Sequence, residues 1–258
     1  MINDLGEEEA LLVFDIGMFD GSDSQYYMEQ GWRVVAIEAN PMLADAARQK
    51  FSKEVRAGSL TIVNAAIAEG EGEVELSVCG EDLGSSSVIS SLVANRIPLG
   101  TYRVPTTSLE RLVETYGVPH YLKVDIEGAD GVCVRGINSA NRPRFLSFEI
   151  GEEFLCLFHH LQEVGYSEYK LINQVSFREA SREGLLRDRI RRKLVRMLGY
   201  SEPGFIRVHK RFFRVAHSSG PGPWESDGTW VSQDRIIKQW EKITARGRSG
   251  IWYDLQAR

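Results

Sequence analysis

The chain has 258 residues, of which 43% are hydrophobic and 26% are charged, and its formal net charge is −5. This is the composition of a globular protein long enough for one large α/β domain with a deep core. No apolar run has the length of a membrane span, and the N-terminus is acidic where a signal segment would be basic and then apolar, so we expect a cytoplasmic protein. The three cysteines lack metal-ligand spacing and are predicted to be reduced and structural.

The first predicted elements are a strand at residues 11–14 and a helix that follows a glycine turn. The strand is continuously apolar, as in a strand buried on both faces of a parallel sheet. The side-chain oxygens of Ser22, Asp23 and Ser24 are expected to accept hydrogen bonds from the free N–H groups at the helix start, and Gly31 is expected to end the helix.

A second predicted strand, residues 34–37, ends at Glu38. Together the two strands indicate half of a doubly wound nucleotide-binding fold, in which ligands bind beyond the carboxyl ends of the strands and the acid closing the second strand binds a ribose. Glu38 follows Gly17 by about 20 positions, which is the spacing that this role needs. The turn reads G-x-x-x-G through Gly21, and G-x-G-x-x-G occurs nowhere in the chain.

Three carboxylates near this turn, those of Asp15, Asp20 and Asp23, argue against a dinucleotide, because they would repel its pyrophosphate at the helix N-terminus. S-adenosylmethionine has a ribose but no phosphate, and its sulfonium and ammonium groups suit an acidic loop. We therefore expect S-adenosylmethionine as the cofactor. The alternative is an ordinary strand–turn–helix whose glycines only turn the chain.

Further elements are predicted from apolar periodicity and turn residues. In chain order they are a helix after Pro41, strands at 60–63 and 73–78, a helix capped within 106–110, strands at 121–124 and 145–149, and a helix carrying Phe154, Phe158 and Leu161. Small residues at 64–66 leave room for an adenine ring beside the backbone, or the alanines there simply pack closely.

Acidic residues also follow the later strands. Asp125 and Glu127 come directly after one strand, and Glu149 closes the next. Carboxyl ends of parallel strands meet at one edge of a sheet, so these acids are expected near Glu38, and a fold that gathers mutually repelling carboxylates is expected to use them. All three are candidates for acid–base chemistry, while Asp125 has the alternative role of ordering its loop through backbone N–H bonds.

Two other sets of residues are candidates for a metal site or for a catalytic base. Asp125 and Glu149 offer oxygen ligands for a divalent cation, but nothing in the spacing requires one and no metal is predicted. His159 and His160, on the helix after Glu149, are candidates for a base, although a surface or packed position is the favoured interpretation for both.

A strongly basic segment spans residues 178–214, with twelve Lys or Arg against four Asp or Glu, so that it carries +8 and the rest of the chain −13. Within it, residues 184–199 have the pattern of an amphipathic helix. The favoured interpretation of its basic face is a solvated surface, and the second is a lid over an anionic substrate. A membrane-surface contact is also open. Nucleic acid is disfavoured, because the chain is acidic as a whole and aromatic residues are not interleaved with the arginines.

Six sequence blocks together resemble one family. In order they read VFDIGMFDGSD, VVAIEANP, NAAIAEGEG, VPTTSLERL, YLKVDIEGAD and RPRFLSFEI, and they are similar to those of the FkbM-type S-adenosylmethionine-dependent methyltransferases. The resemblance covers roughly residues 11–176, with K-x-D-x-E-G as its most distinctive block. It implies the class I methyltransferase fold, an α/β Rossmann-like arrangement with a mostly parallel seven-stranded sheet, helices on both faces and an antiparallel last strand.

The resemblance also implies site residues and a reaction. Asp15, Gly17 and Gly21 would hold the methionine end of the cofactor, Glu38 the ribose, and Asn64 and Ala65 would border the adenine. The implied reaction is O-methylation of a hydroxyl on a sugar, a polyketide or another specialised metabolite. Many relatives carry Asn two residues after the first glycine of the turn, where this chain has Phe19, so any side-chain contact from that position to the cofactor carboxylate is lost.

We predict a single methyltransferase domain over residues 1–258, with a motif core at 11–176, a basic insert or lid at 177–215, and a linker and aromatic tail at 216–258. A final helix is expected to start at Trp230, and the tail is expected to pack back onto the domain. The expected acceptor is a small-molecule or glycan hydroxyl, with an anionic acceptor as one option. The alternatives are a cofactor-fold binding protein without catalysis, and a lipid or RNA acceptor.

Overall fold

The computed structural model describes residues 10–79, 98–126, 128–151, 153–180, 204–208, 210–215, 217–245 and 252–258. The chain forms two compact units. The first contains Met1–Leu146 and Gly151–Gly165, and the second contains Ser147–Ile150 and Tyr166–Arg258. The division into a motif core, a basic insert and a tail stays a prediction.

The strands of the first unit are β1 (Leu12–Ile16), β2 (Arg33–Ile37), β3 (Leu60–Val63), β4 (Ala66–Ile67), β5 (Gly72–Cys79), β6 (Pro98–Thr107), β7 (Tyr121–Val124) and the start of β8 (Phe145–Glu149). Its helices are α1 (Ser22–Met28), α2 (Pro41–Lys50), α3 (Ser52–Ala57), α4 (Leu109–Tyr116), α5 (Asp130–Arg135) and α6 (Phe154–Glu163). The first strand, β1, lies between β2 and β7, and both pairings are parallel. All five residues of β1 are buried, which confirms the predicted central strand.

A second, three-stranded sheet has the order β4-β6-β5 and its own small apolar core of Ala66, Leu76, Val78 and Val104. The predicted strand at 73–78 is the core of β5. Strand β6 was missed, because its residues Pro98, Gly100 and Pro105 are those that usually mark turns and edges.

The second unit contains the rest of β8, β9 (Tyr169–Asn173), β10 (Arg178–Glu179), β11 (Phe205–Val208), β12 (Arg211–Arg214), β13 (Tyr253–Ala257) and α7 (Gln233–Thr244). Strand β13 lies between β8 and β9 and is antiparallel to β9. Residues Tyr253–Ala257 of the aromatic tail expected to pack back onto the domain therefore form a fully buried strand of the sheet, while Trp252 before them is exposed. The implied antiparallel last strand is confirmed. The main sheet has eight strands in the described part of the chain, one more than expected, because β10 adds two residues at its edge.

The Gly/Pro/Ser-rich segment 217–228, expected to be a linker, is packed into the second unit. Ser218, Ser219 and Ser226 are buried. The carbonyl oxygens of Pro223 and Ser226 each accept a hydrogen bond of 3.1 Å from Nζ of Lys170, which is only 4% exposed. These contacts satisfy the hydrogen-bonding capacity of a buried ammonium group. The segment therefore has a structural role, which its Gly/Pro/Ser-rich composition did not indicate.

Trp230 does not begin the final helix. The helix α7 starts at Gln233 after the N-cap Ser232, and Trp230 lies between two cations, with Lys170 Nζ and Arg258 Cζ each 4.5 Å from its ring centroid. Both contacts fall within cation–π range.

In the basic segment, the described residues form the hairpin β11–β12. Phe205 pairs with Arg214 and Arg207 pairs with Phe212, and all four are exposed. Aromatic and basic residues therefore interleave in this hairpin, which the sequence interpretation of residues 184–199 did not cover. The amphipathic pattern at 184–199 lies outside the described residues. None of the helices in the described ranges is both long and apolar enough to cross a membrane.

Candidate functional site

The turn after β1 is tied to the end of β2 by backbone hydrogen bonds. The N–H groups of Gly17 and Met18 both donate to the carbonyl oxygen of Ile37, at 2.9 and 3.0 Å. Gly17 has φ 87°, Phe19 has φ 50° and Gly21 has φ 78°, so the turn passes three times through the left-handed region. Glycine adopts that region without cost, whereas phenylalanine does not. The turn is therefore a strained backbone feature at the head of the first two strands.

Gly17 is also required by the close approach of the loop after β7. A Cβ atom at this position would lie 1.9 Å from the carbonyl oxygen of Asp125. Gly21 is confined in a similar way, since its Cβ would lie 2.4 Å from Cε2 of Phe51. Both glycines thus have a steric reason to be present, and their contacts with the methionine end of a cofactor stay a prediction.

Helix α1 is capped differently from the prediction. Its N-cap is Gly21, which provides no side-chain hydrogen bond. The side chain of Asp20 takes the role expected of Ser22, Asp23 and Ser24, because its Oδ1 accepts from the backbone N and from Oγ of Ser22 at 2.9 and 2.6 Å. The hydroxyl of Ser24 donates instead to Oδ2 of Asp15 at 2.6 Å.

The carboxylate of Glu38 joins two loops. Its Oε2 accepts from the backbone N–H of Phe19, and its Oε1 accepts from that of Asn40, both at 2.8 Å. The residue is 8% exposed. Burial raises its pKa from 4.5 to about 7, although the two N–H groups and Lys123 lower it. Each carboxylate oxygen keeps a lone pair beyond the one already used, so Glu38 retains the capacity to accept two hydroxyl donors.

Asn64 and Ala65 follow β3. The Asn64 amide nitrogen donates to the carbonyl oxygens of Glu38 and Ala39 at 2.8 and 3.1 Å, and Ala65 is buried. The side chain of Asn64 therefore fixes the backbone that follows β2. A border with adenine stays a prediction for both residues.

An ammonium group that sequence reasoning did not consider lies at the centre of the acidic cluster. Lys123, in β7, is 3% exposed, and its Nζ lies 3.1 Å from Oδ1 of Asp15 and 3.7 Å from Oδ2 of Asp23. Both aspartates are buried. The expectation that the carboxylates of Asp15, Asp20 and Asp23 all face a cationic ligand needs correction, since one buried cation balances part of their charge. The signal was a lysine within the apolar run Tyr121–Val124.

The three candidate proton acceptors differ in their exposure and in their place in the chain. The side chain of Asp125 is 33% exposed, and its Oδ2 lies 3.9 Å from Lys123 Nζ. Glu149 is the half-buried last residue of β8 and belongs to the second unit. Glu127 lies outside the described residues.

A fourth acid, Asp130, was not considered in the sequence analysis. It is 6% exposed. Its pKa is raised to about 7, mainly by burial and next by the charge of Asp125.

The histidine candidates and the cysteines differ in their exposure. His159 is exposed, and Nε2 of His160 lies 2.9 Å from the carbonyl oxygen of Ile137. Cys133 and Cys156 are free thiols, the first buried and the second exposed. Among the residues that the structure describes, no group of three or more His, Cys, Asp or Glu side chains is arranged to hold a metal ion.

The strand order β3-β2-β1-β7, the antiparallel β13, the glycine turn after β1 and the acid closing β2 define a class I methyltransferase fold. Comparison with protein families makes this specific. The chain matches the methyltransferase FkbM domain over residues 15–168, more than half its length, and it belongs to that family. It is an S-adenosyl-L-methionine-dependent methyltransferase. No curated protein matches the sequence of the chain.

Several solved structures are similar at low identity. A precorrin-6y C5,15-methyltransferase from Geobacter metallireducens is 14% identical, with 65% of this chain and 69% of that chain covered and a TM-score of 0.39. A putative methyltransferase from Thermoplasma acidophilum is 13% identical, with 70% and 62% covered and a TM-score of 0.38. The glycopeptide N-methyltransferase MtfA, complexed with S-adenosyl-L-homocysteine, is 11% identical, with 98% and 84% covered and a TM-score of 0.31. These scores carry no argument about the acceptor.

Proposed function

We propose that the protein methylates a hydroxyl oxygen of a sugar, a glycan or a specialised metabolite. The observation that carries this proposal is the environment of Asp125. Its carbonyl oxygen lies against the Gly17 turn, and its side chain is 33% exposed, whereas Asp15 and Asp23 are buried. A solvent-accessible carboxylate therefore adjoins the turn where the family resemblance puts the reactive end of the cofactor, and a bound hydroxyl group can reach it.

The residues around the turn fit the cofactor. Glu38 has acceptor capacity for two ribose hydroxyls, and the carboxylates of Asp15, Asp23 and Asp125 outnumber the one ammonium group of Lys123, which suits a cationic ligand. We assign Asp15, Gly17 and Gly21 to the methionine end, Glu38 to the ribose, and Asn64 and Ala65 to the adenine. When bound, S-adenosylmethionine would supply a methyl group activated by its sulfonium sulfur, whose bond to that carbon would break as the acceptor oxygen attacks, with S-adenosylhomocysteine as the leaving group.

The protein itself must align the acceptor oxygen, exclude water and remove one proton. Asp125 would take the hydroxyl proton on Oδ1 or Oδ2 as the new oxygen–carbon bond forms. A carboxylate is a weak base toward an alcohol, so this transfer is expected late in the reaction. Glu127 and Glu149 are proposed as further carboxylates of the acceptor side.

The basic segment supports an anionic acceptor. Its described part presents Arg207 and Arg214 on one exposed face of the hairpin β11–β12. Arginine side chains of this kind favour carboxylate, sulfate or phosphate groups on a substrate. We also propose a cytoplasmic location, which the free thiols of Cys133 and Cys156 support.

The substrate class is tested with tritiated-methyl S-adenosylmethionine and panels of glycans, small alcohols, lipids and RNA. We expect label in a glycan or an alcohol, with stronger labelling of anionic members of the panel. Label in RNA or lipid alone would overturn the acceptor class. Label on a nitrogen or carbon atom of the product, located by mass spectrometry, would overturn O-methylation.

A further inference from the structure

The buried ammonium group of Lys123 lies close to four polar groups, although no role has been assigned to this residue. Its Nζ donates a 2.8 Å hydrogen bond to the carbonyl oxygen of Gly17 and lies 3.1 Å from Oδ1 of Asp15. Asp23 and Asp125 are farther away, at 3.7 and 3.9 Å, beyond ordinary hydrogen-bond distance but well within range of charge attraction. One ammonium group therefore contacts β1, α1 and the segments that follow β1 and β7.

Burial of the Lys123 charge costs free energy unless its polar partners compensate for it. Its side chain is 4% exposed and that of Asp15 is fully buried. A buried charge is tolerated when it is paired and hydrogen-bonded, and removal of one partner leaves the other uncompensated. Burial alone lowers the pKa of Lys123, but the charges of Asp15, Asp125 and Asp23 outweigh burial and raise it. Lys123 is thus a permanent cation and unsuited to be a base.

The hydrogen bond to Gly17 connects Lys123 with Glu38. The same turn donates from Gly17 and Met18 to the carbonyl oxygen of Ile37, and from Phe19 to the Glu38 carboxylate. A shift of the Gly17 carbonyl would therefore move the N–H group that orients Glu38. No contact between Lys123 and a substrate is needed for this effect.

We propose that Lys123 is a positioning residue of the cofactor site, which fixes the Gly17 turn and supplies the positive charge that keeps the Glu38 carboxylate ready for the ribose. This rests on the cofactor-binding role proposed for Glu38. The charged groups that act on Glu38 are Lys123 from β7, which lowers its pKa, and Asp15 from β1, which raises it, while the backbone N–H groups of Asn40 and Phe19 also lower it. Loss of the lysine charge must therefore raise the pKa of Glu38.

The test compares Lys123→Met, which keeps the length of the side chain but not its charge, with Lys50→Met. Lys50 is a matched control, because its Nζ also donates to a carbonyl oxygen of this turn, that of Asp20 at 2.8 Å, but at an exposed position. Binding of S-adenosylmethionine and of S-adenosylhomocysteine is measured by calorimetry from pH 5.5 to pH 9, together with thermal unfolding.

We expect Lys123→Met to bind both ligands at least about tenfold more weakly at pH 7, and the pH midpoint of binding to move upward by about one unit. Lys50→Met should match the wild type in both respects. A uniform loss of affinity with an unchanged midpoint would overturn the proposal, because a purely structural role predicts that result. Unchanged affinity would overturn it as well.

Should Lys123→Met fail to fold, the double variant Lys123→Met/Asp15→Asn removes the uncompensated buried charge. The two changes act on the pKa of Glu38 in opposite directions, so its midpoint should return toward that of the wild type, while affinity should stay below that of Asp15→Asn alone, since Gly17 has lost its donor. Wild-type affinity in the double variant would overturn the positioning role. Failure of the Glu38 assignment is recognised separately: wild type and Glu38→Gln would then show the same pH dependence.

Discussion

The backbone N–H of Phe19 donates a 2.8 Å hydrogen bond to Oε2 of Glu38, across 19 positions of sequence. The bond needs the left-handed conformation of Phe19, at φ 50°. Asparagine, which the family resemblance implies at this position, tolerates the left-handed region, so a backbone requirement can account for it without a side-chain contact. Phe19 and Glu38 therefore form one structural unit of the proposed cofactor site.

The first prediction concerns position 19. Phe19→Asn is expected to keep cofactor affinity within about threefold, because asparagine adopts the required φ, whereas Phe19→Val is expected to lose tenfold or more, because a β-branched residue resists it. Calorimetry with S-adenosylhomocysteine measures both. Equal affinities for the two variants would show that the N–H group of residue 19 does not orient Glu38.

The second prediction concerns pH. Glu38 has a pKa of about 7 in the folded protein, above its ordinary 4.5, and the ionised form is the one that accepts two hydroxyl donors. Cofactor affinity should therefore be complete above pH 7 and fall by up to about tenfold per unit below it. In Glu38→Gln, affinity should be weaker at pH 8 and nearly independent of pH. A wild-type affinity that rises on acidification would contradict the proposed role.

Ionisation of Glu38 also bears on stability. An acid whose pKa is raised by folding binds its proton more tightly in the folded state, so its contribution favours the folded state below pH 4.5 and is lost as the pH rises through 7. Glu38→Gln removes this loss. The difference in thermal stability between the variant and the wild type should therefore move in favour of the variant as the pH rises from 5 to 8, and differential scanning calorimetry across that range provides the measurement.

The third prediction concerns Gly17. Gly17→Ala places a Cβ 1.9 Å from the carbonyl oxygen of Asp125 at φ 87°, so we expect a loss of about 3 kcal/mol or more of folding free energy. Gly31→Ala is the matched control, with φ 81° and no heavy atom within 4 Å, and should cost only about 1 to 2 kcal/mol. Urea unfolding of both variants gives the comparison. Equal losses would mean that the two loops separate easily.

The fourth prediction concerns the proton acceptor. Asp125→Asn should bind S-adenosylmethionine within about threefold of the wild type and lose 100-fold or more in turnover, as expected for removal of a general base. Asp130→Asn is an informative comparison, since that carboxyl group is 6% exposed and a hydroxyl acceptor has poor access to it. Turnover that survives in Asp125→Asn but is lost in Asp130→Asn would reassign the base.

The fifth prediction concerns the second unit. Trp230→Leu removes the cation–π contacts with Lys170 and Arg258, each at 4.5 Å, and should lower the free energy of unfolding by about 1 to 3 kcal/mol. Trp252→Leu, at a residue that is 54% exposed, should cost less than about 1 kcal/mol. Cofactor binding is expected to be unaffected in both variants.

Much of the site follows from sequence because parallel strands put their last residues at one edge. The apolar runs that form β1 and β2 locate Gly17 and Glu38 without structural knowledge. Lys123 was missed for a physical reason: within an apolar run, a single charge has no periodicity, and its partners Asp15 and Asp23 are about 100 positions away. Such pairing is visible only after β1 and β7 are aligned.

Other errors have the same origin. Ser218, Ser219 and Ser226 are buried and Lys170 donates to the carbonyl oxygens of Pro223 and Ser226, contacts that a Gly/Pro/Ser-rich composition does not indicate. Strand β13 was interpreted only as a packed tail, although its five residues, YDLQA, alternate between apolar and polar side chains as a strand does. Its place between β8 and β9 is a property of topology, which local patterns do not encode.

The order of β8, β13 and β9 has a consequence for biosynthesis. During translation, β8 and β9 leave the ribosome well before β13, yet they become neighbours only through that strand. Until it is made, each has an open edge with unsatisfied backbone groups, to which another nascent chain or a chaperone can attach. Completion of this part of the sheet must therefore wait for the latest strand to be synthesised, and premature termination before Tyr253 would yield a product prone to aggregation.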